Sequence, residues 1–423
     1  MSTTAIEVIN GMKTENKLRN WVQPLFILYF ALFSIFLFAQ ALKNPSNNWD
    51  MIAYAGSVKS FETNDKKEIH DFAYSELKQY VDAETFQELT ASSVYRETLY
   101  KDPESFRQVL PWYQIRPVYT ALIYAINKAG VNIYFASYLI SAVAVFIGLW
   151  IFYFAFRPHI AETFWFALPF FVVLNGTTQI ASFSSPDGLA FLWTSILSYF
   201  FIRRHKLFLW LLPLSIFVRT DMIFLVALFL AYLFWSYTKE RRKSVKIKPK
   251  YRFRIIKTLR GRAVAAGLAS LVIYLVINAV YGNYGWATVF HLMFVDRINY
   301  PADTVVHIEF MQYIKIVMQN LPNMLQNNAF DLFIGIFILL MAILLNLNEI
   351  RKSFSSLMSQ RIDALMVISF LFVTIHYLIF PEDDSRFFIA QYLIGLLVFF
   401  SLLTRLRGLD PTTEQKDRRK YQD

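Results

Sequence analysis

Four short motifs hold the residues able to do chemistry: Asn47-Asn48-Trp49-Asp50, Ser185-Pro186-Asp187-Gly188, Arg219-Thr220-Asp221 and Pro381-Glu382-Asp383-Asp384-Ser385-Arg386. Each stands at the end of an apolar run, where a side chain can meet both hydrocarbon and water. A carboxylate so placed can take a proton from a hydroxyl, and an arginine can grip a phosphate through two parallel N–H bonds. Singly, each has a plainer reading. Asp50 could be a helix N-cap or a solvated loop residue, Arg219 with Asp221 a structural ion pair, and Asp383-Asp384 an exposed turn. Gathered on one side of a membrane, they form a mixed patch of acids and arginines suited to a phosphate-bearing, half-lipidic molecule.

The elements that must position these residues are membrane helices. Of the 423 residues, 56% are hydrophobic, 18% aromatic and only 17% charged, too apolar a balance for an ordinary soluble domain. The apolar runs are far longer than the roughly ten alternating residues of a barrel strand, and backbone groups in hydrocarbon must be satisfied internally. The fold class is therefore all-α, a polytopic transmembrane helical bundle of about ten spans forming a single domain over residues 1–423. The formal charge of +11 does not point to nucleic acid. Residues 239–262 alone carry twelve Lys or Arg against Glu240, which suits a loop lying on anionic membrane lipids. With no cysteine, there is neither a disulfide framework nor a thiolate metal site.

Spans are predicted over 21–42, 132–156, 162–181, 189–202, 207–218, 222–237, 263–281, 329–347, 363–380 and 387–403. The first is longer than a signal-peptide core of about 7 to 15 residues and reads as an uncleaved anchor. Residues 43–115 carry eight basic and twelve acidic groups and no spanning run; Phe72, Leu77, Tyr80, Val81, Phe86 and Leu89 predict short amphipathic helices. Arg116-Pro117-Val118-Tyr119 opens an apolar piece of about a dozen residues, short of the roughly 20 that a span needs. Keeping that piece on one side places residues 1–20, the turn Arg203-Arg204-His205-Lys206, the 239–262 loop and residues 404–423 in the cytoplasm, as the positive-inside rule asks. Residues 43–131 and 282–328 then form two extracytoplasmic segments of a multi-pass plasma-membrane protein of bacterial inner-membrane type. The outer face gathers Asp50, Asp187, Asp221, Glu382, Asp383 and Asp384 with Arg116, Arg219, Arg297 and Arg386.

Such a face suits a polyprenyl-phosphate-linked sugar donor. Arginines would hold the phosphate, one carboxylate would deprotonate an acceptor hydroxyl, and the prenyl tail would lie along an apolar groove. No nucleotide-sugar machinery is evident, since the chain has no GxGxxG, no P-loop and no soluble appendage. An Asp after the first span, a large first loop ending in Arg-Pro-Val-Tyr, a Ser-Pro-Asp-Gly turn, an Arg-x-Asp turn and an acid-rich turn ending in Arg-Phe resemble the GT-C superfamily of integral-membrane glycosyltransferases. The resemblance covers roughly residues 21–403. It implies transfer of a sugar from a lipid-linked donor to an extracytoplasmic glycan or lipid acceptor, with Asp50 as base, Asp187 as the second-loop acid, and residues 382–386 on donor phosphate or acceptor. This chain has a single Asp50 where the family has an acidic pair, which leaves no first-loop metal site; the separate Asp383-Asp384 pair could hold a divalent cation, the one cofactor the sequence offers, or stand merely solvated.

Other signals weigh less. His291 and His307 lack zinc-ligand spacing. Asn175-Gly176-Thr177 is an Asn-x-Thr sequon close to a membrane end. Trp49, Trp112 and Tyr113 are placed to stack on a sugar, although such rings also form interfacial belts. The alternative from another class is a transporter or flippase for lipid-linked saccharides. Transporters put ionisable groups near the midplane of broken helices, whereas these acids sit at span ends.

Overall fold

In the computed structural model of the chain, residues 3–243, 249–295, 307–328, 360–382 and 384–406 are described. The predicted span 329–347, Arg297 and Asp383 lie outside them. The described secondary structure is helical, apart from a single parallel bridge between Ser46 and Phe183.

Among the described residues, four helices are long and apolar enough to cross a membrane: Trp21–Lys43, Ile133–His159, Arg260–Tyr281 and Arg361–Ile379. This corrects the expectation of about ten spans. Five further apolar helices are shorter, among them Asp187–Ile202, Phe208–Val218 and Met222–Tyr237. At ~1.5 Å per residue, the eleven-residue Phe208–Val218 helix reaches roughly 17 Å against a hydrocarbon core of about 30 Å. The expected span 162–181 is broken three ways. It begins as a 3-10 helix, Glu162–Ala167, continues as Leu168–Leu174, and restarts as Thr177–Ser182. The break is the sequon itself. Asn175 Oδ1 accepts from the Thr177 N–H (3.1 Å) and hydroxyl (2.6 Å), and Gly176 takes φ +79°, a conformation that glycine supplies cheaply.

The polar segment after the first long helix folds into a stack of short helices, because its polar residues cap them. Asp65, Asp82, Ser93 and Asp102 each accept a backbone N–H two or three residues on, at the starts of Lys66–Tyr80, Ala83–Ala91, Val94–Lys101 and Pro103–Val109. These enclose the Asp50–Lys59 helix, buried from Met51 through Val58. The Pro117–Lys128 helix, twelve residues long, packs beside it and against Ile133–Phe156. Two long-range ties fix the stack to the bundle: Tyr134 Oη donates to the Ala73 carbonyl (2.5 Å) and Tyr138 Oη to Asn47 Oδ1 (3.0 Å).

The two ends of the bundle differ chemically. At one end Arg361 reaches the Phe201 carbonyl (2.8 Å), Ala161 N–H reaches Thr404 Oγ1 (2.8 Å), and Arg405 pairs with Asp363 (2.5 Å). At the other end the turns carrying Asp50, Asp187, Asp221 and Glu382 converge on one cavity.

The tightest crossing lies under that cavity, where Asp187–Ile202 meets Ile133–Phe156. A Cβ on Gly188 would fall 2.9 Å from both Cα and O of Ser141, which are backbone atoms and cannot step aside. Gly188→Ala is expected to cost about 1–3 kcal/mol as overpacking, read as a lower melting temperature in detergent. Gly56→Ala, whose Cβ would meet the movable Phe106 ring at 2.8 Å, should cost less; the reverse ranking would contradict this packing account.

Candidate functional site

Asp50 opens its helix, a position where a carboxylate is favoured by the helix dipole. It is not a cap. Its side chain makes no capping bond. Instead Oδ1 accepts from Tyr113 Oη (3.0 Å), while Oδ2 lies 3.4 Å from Arg386. The neighbouring strand-like contact brings the second motif alongside: Ser46 N–H donates to the Ser182 carbonyl (3.0 Å), and the two serine hydroxyls meet at 3.0 Å. Burial and the nearby Asp50 push the Tyr113 phenol well up, so it stays a donor.

Asp187, on the first turn of its helix, is 3% exposed at its side chain and engaged through both oxygens. It pairs closely with Arg219 and accepts from Ser185 Oγ (2.8 Å), with Arg386 3.9 Å away. Arg219 in turn forks onto Asp221, Nε to Oδ1 at 3.1 Å and Nη2 to Oδ2 at 2.5 Å. Asp221 also contacts His376 Nε2 at 3.1 Å. Burial works to raise the Asp221 carboxyl, but Arg219 and His376 outweigh it and hold it well below the usual carboxylate range. Phe387 closes the network from the side, with Arg219 and Arg386 each 4.9 Å from its ring centre.

Asp50, Arg116, Asp187, Arg219, Asp221, Glu382 and Arg386 all line one cavity of about 720 Å³, within the ~300–1,000 Å³ usual for ligand sites. Asp384 stands behind Arg386, 3.0 Å from its Nε. Among the described residues no group of three or more His, Asp or Glu is placed to hold a metal ion. The cavity is amphipathic. Its other wall is apolar, built from Phe224, Tyr274, Trp286, Val289, Met293 and Phe380. The Trp286–Phe294 helix is held there by Trp286 Nε1 donating to the Ile379 carbonyl (2.8 Å).

The arginines are not equivalent. Arg219 is consumed by two carboxylates, and Arg386 is shared among Asp50, Asp187 and Asp384. Arg116 has no carboxylate within ion-pair distance among the described residues; its Nη1 donates to Tyr54 Oη (2.9 Å) and to the Trp112 carbonyl (3.2 Å). This half-buried guanidinium, whose charge is favoured by the more distant Asp187 and Asp221, keeps N–H groups able to meet a further anion. Trp112 and Tyr113 line the cavity, but Trp49 does not; it is 9% exposed and packs on Tyr95 and Tyr113. His376 was not among the candidates from sequence, although a lone imidazole one turn from the end of an apolar run was the available signal. Comparison with protein-family models, curated proteins and solved structures returned no match for this chain.

Burial pushes the Glu382 carboxyl up to about 7, against the pull of Arg386. The folded protein therefore holds this proton more tightly than the unfolded chain, whose glutamate titrates near 4.5. The ionised group costs nothing below that value, and its cost grows as pH rises through 4.5 to 7. Glu382→Gln should raise the melting temperature by a few degrees at about pH 8 and hardly move it at about pH 5. An equal shift at both would show that Glu382 is not held protonated.

Proposed function

We propose that this chain is a multi-pass membrane glycosyltransferase of GT-C type, which moves a sugar from a polyprenyl-phosphate donor to a glycan or lipid acceptor on the extracytoplasmic side. The observation that carries this reading is Arg116, an arginine with no ion-paired carboxylate among the described residues, on the wall of an amphipathic cavity that also holds the half-buried Asp50. The polar end suits the phosphate and sugar, and the apolar wall from Phe224 to Phe380 suits the first isoprenes of the tail. The basic end formed by Arg203, Arg361 and Arg405 supports placing the opposite, acidic end outside.

In the proposed reaction the acceptor hydroxyl oxygen attacks the anomeric carbon as its proton passes to Asp50. The bond from that carbon to the phosphate oxygen breaks, and the electron pair leaves on the polyprenyl phosphate, which Arg116 and then Arg386 stabilise. A single displacement inverts the anomeric configuration. Asp50 fits the base because it is the acid at this cavity with a long, single ion contact, its side chain 28% exposed against 3% for Asp187. Asp187 and Asp221 are positioning residues, their oxygens already committed to Arg219, Ser185 and His376. Any cation at Asp383-Asp384 would act beside Arg386, on the leaving phosphate.

Asp50→Asn keeps the Tyr113 hydrogen bond but removes the base. Transfer of labelled sugar from polyprenyl-phosphate donors in membranes should fall by about 10²–10⁴, with melting temperature little changed because the Asp50–Arg386 contact is long and Arg386 keeps Asp187 and Asp384. Turnover retained within a few-fold would remove Asp50 from the mechanism.

A further inference from the structure

Beside the cavity lies a second concavity, of about 610 Å³, between the first polar segment and the turn that follows the Arg260–Tyr281 helix. The same two stretches of chain wall both spaces. Pro111 and Gln114 face the groove while Trp112 and Tyr113 face the cavity; Gly282 and Tyr284 face the groove while Asn283 and Trp286 face the cavity. Gly282 (φ +64°) and Gly285 (φ +88°) allow that turn to alternate its faces so tightly. The shared wall is completed by Trp112 against Tyr284, ring centres 6.0 Å apart and edge-on at 81°. The backbone of Trp112 also carries the carbonyl that Arg116 contacts, so the wall is tied to the anion-favouring arginine.

The groove's chemistry differs from that of the cavity. It presents the amides Asn64 and Gln108, and the buried Gln114 whose Nε2 donates to Ser60 Oγ (2.7 Å), beside the rings Phe61, Tyr281 and Tyr284. Its charged members are few: Glu104, which pairs with Lys66, and Arg107. Amides both donate and accept, as the alternating hydroxyls of a sugar require, and exposed rings suit the C–H faces of pyranoses. Phe61, edge-on to Tyr124, is 42% exposed at the rim, where its ring offers a surface for a pyranose. The indole Nε1 of Trp112 is buried in the wall without a hydrogen-bond partner, a donor for a hydroxyl brought to this boundary.

We infer that this groove is an acceptor subsite for an uncharged glycan, which it holds with the chain's end directed past Trp112 toward Asp50. The inference rests on the transfer reading above and adds the acceptor class to it. An acceptor arriving from the polar side and a donor lying along the apolar wall would meet at the carboxylate without competing for space.

The test uses purified full-length protein in detergent on an array of printed neutral and acidic oligosaccharides. In parallel, binding of farnesyl methyl phosphodiester is measured, a probe whose single charge does not titrate near neutrality. The wild type should capture neutral oligosaccharides, and Phe61→Ala and Asn64→Ala, both at exposed positions, should each weaken capture about tenfold while leaving phosphodiester affinity and melting temperature unchanged. Capture of acidic glycans only, no capture, or capture undiminished in both variants overturns the subsite. Failure of the wild type to bind the phosphodiester, with glycan capture intact, would instead overturn the transfer reading.

Discussion

The site depends on a continuous run of ion pairs, Asp221 to Arg219, Asp187, Arg386 and Asp50, drawn from separate segments of chain, with the His376 ring in hydrogen-bond contact with Asp221 at its end. In a largely buried setting each charge is tolerable only because its neighbours satisfy it, and stripping one partner from such a pair typically costs about 3–5 kcal/mol. The network therefore does not measure the stability of the fold so much as fix its register. The Asp187–Ile202 helix, the Arg219 turn and the Arg386 turn can meet in one arrangement that leaves no carboxylate unpaired. Phe387, held between two guanidinium groups, locks the spacing further.

Around that fixed polar floor, the rest of the molecule supplies two differently soluble walls. The stack of capped helices after the first long helix brings Tyr54, Tyr113 and Arg116 over the floor from the polar side. The Trp286–Phe294 helix and the outer turns of Met222–Tyr237 and Arg260–Tyr281 bring aromatic and aliphatic side chains from the other. Arg116 stands where these walls meet, bonded to Tyr54 Oη and the Trp112 carbonyl and with no ion-paired carboxylate among the described residues. In the proposed function it is this guanidinium that meets the phosphate.

Much of this was legible in the sequence, because span ends are marked by abrupt changes from apolar to charged residues. Four separated motifs could be placed together by topology alone, and the structure puts Asp50, Asp187, Asp221, Glu382 and Arg386 at one cavity. Helical class followed equally from composition. The count of spans did not, because hydropathy cannot see that Asn175 and Gly176 break one apolar run, or that Phe208–Val218 is too short to cross unaided. Nor could the motifs rank the arginines. The Arg-x-Asp spacing offered an ion pair for Arg219, but only the side-chain geometry shows Arg219 also spent on Asp187 and Arg116 without an ion-paired carboxylate among the described residues. His376 escaped notice because its partner, Asp221, is 155 residues away.

In the proposed function the amphipathic cavity holds a lipid-linked phosphate against Arg116. Photo-crosslinking with a polyprenyl phosphate carrying a diazirine on its first isoprene, followed by peptide mapping, puts this to the test. Adducts are expected on the wall formed by Phe224, Tyr274 and residues 286–293, displaced by unlabelled polyprenyl phosphate and strongly reduced in Arg116→Ala. Adducts confined to other surfaces, or unchanged by that substitution, would contradict it.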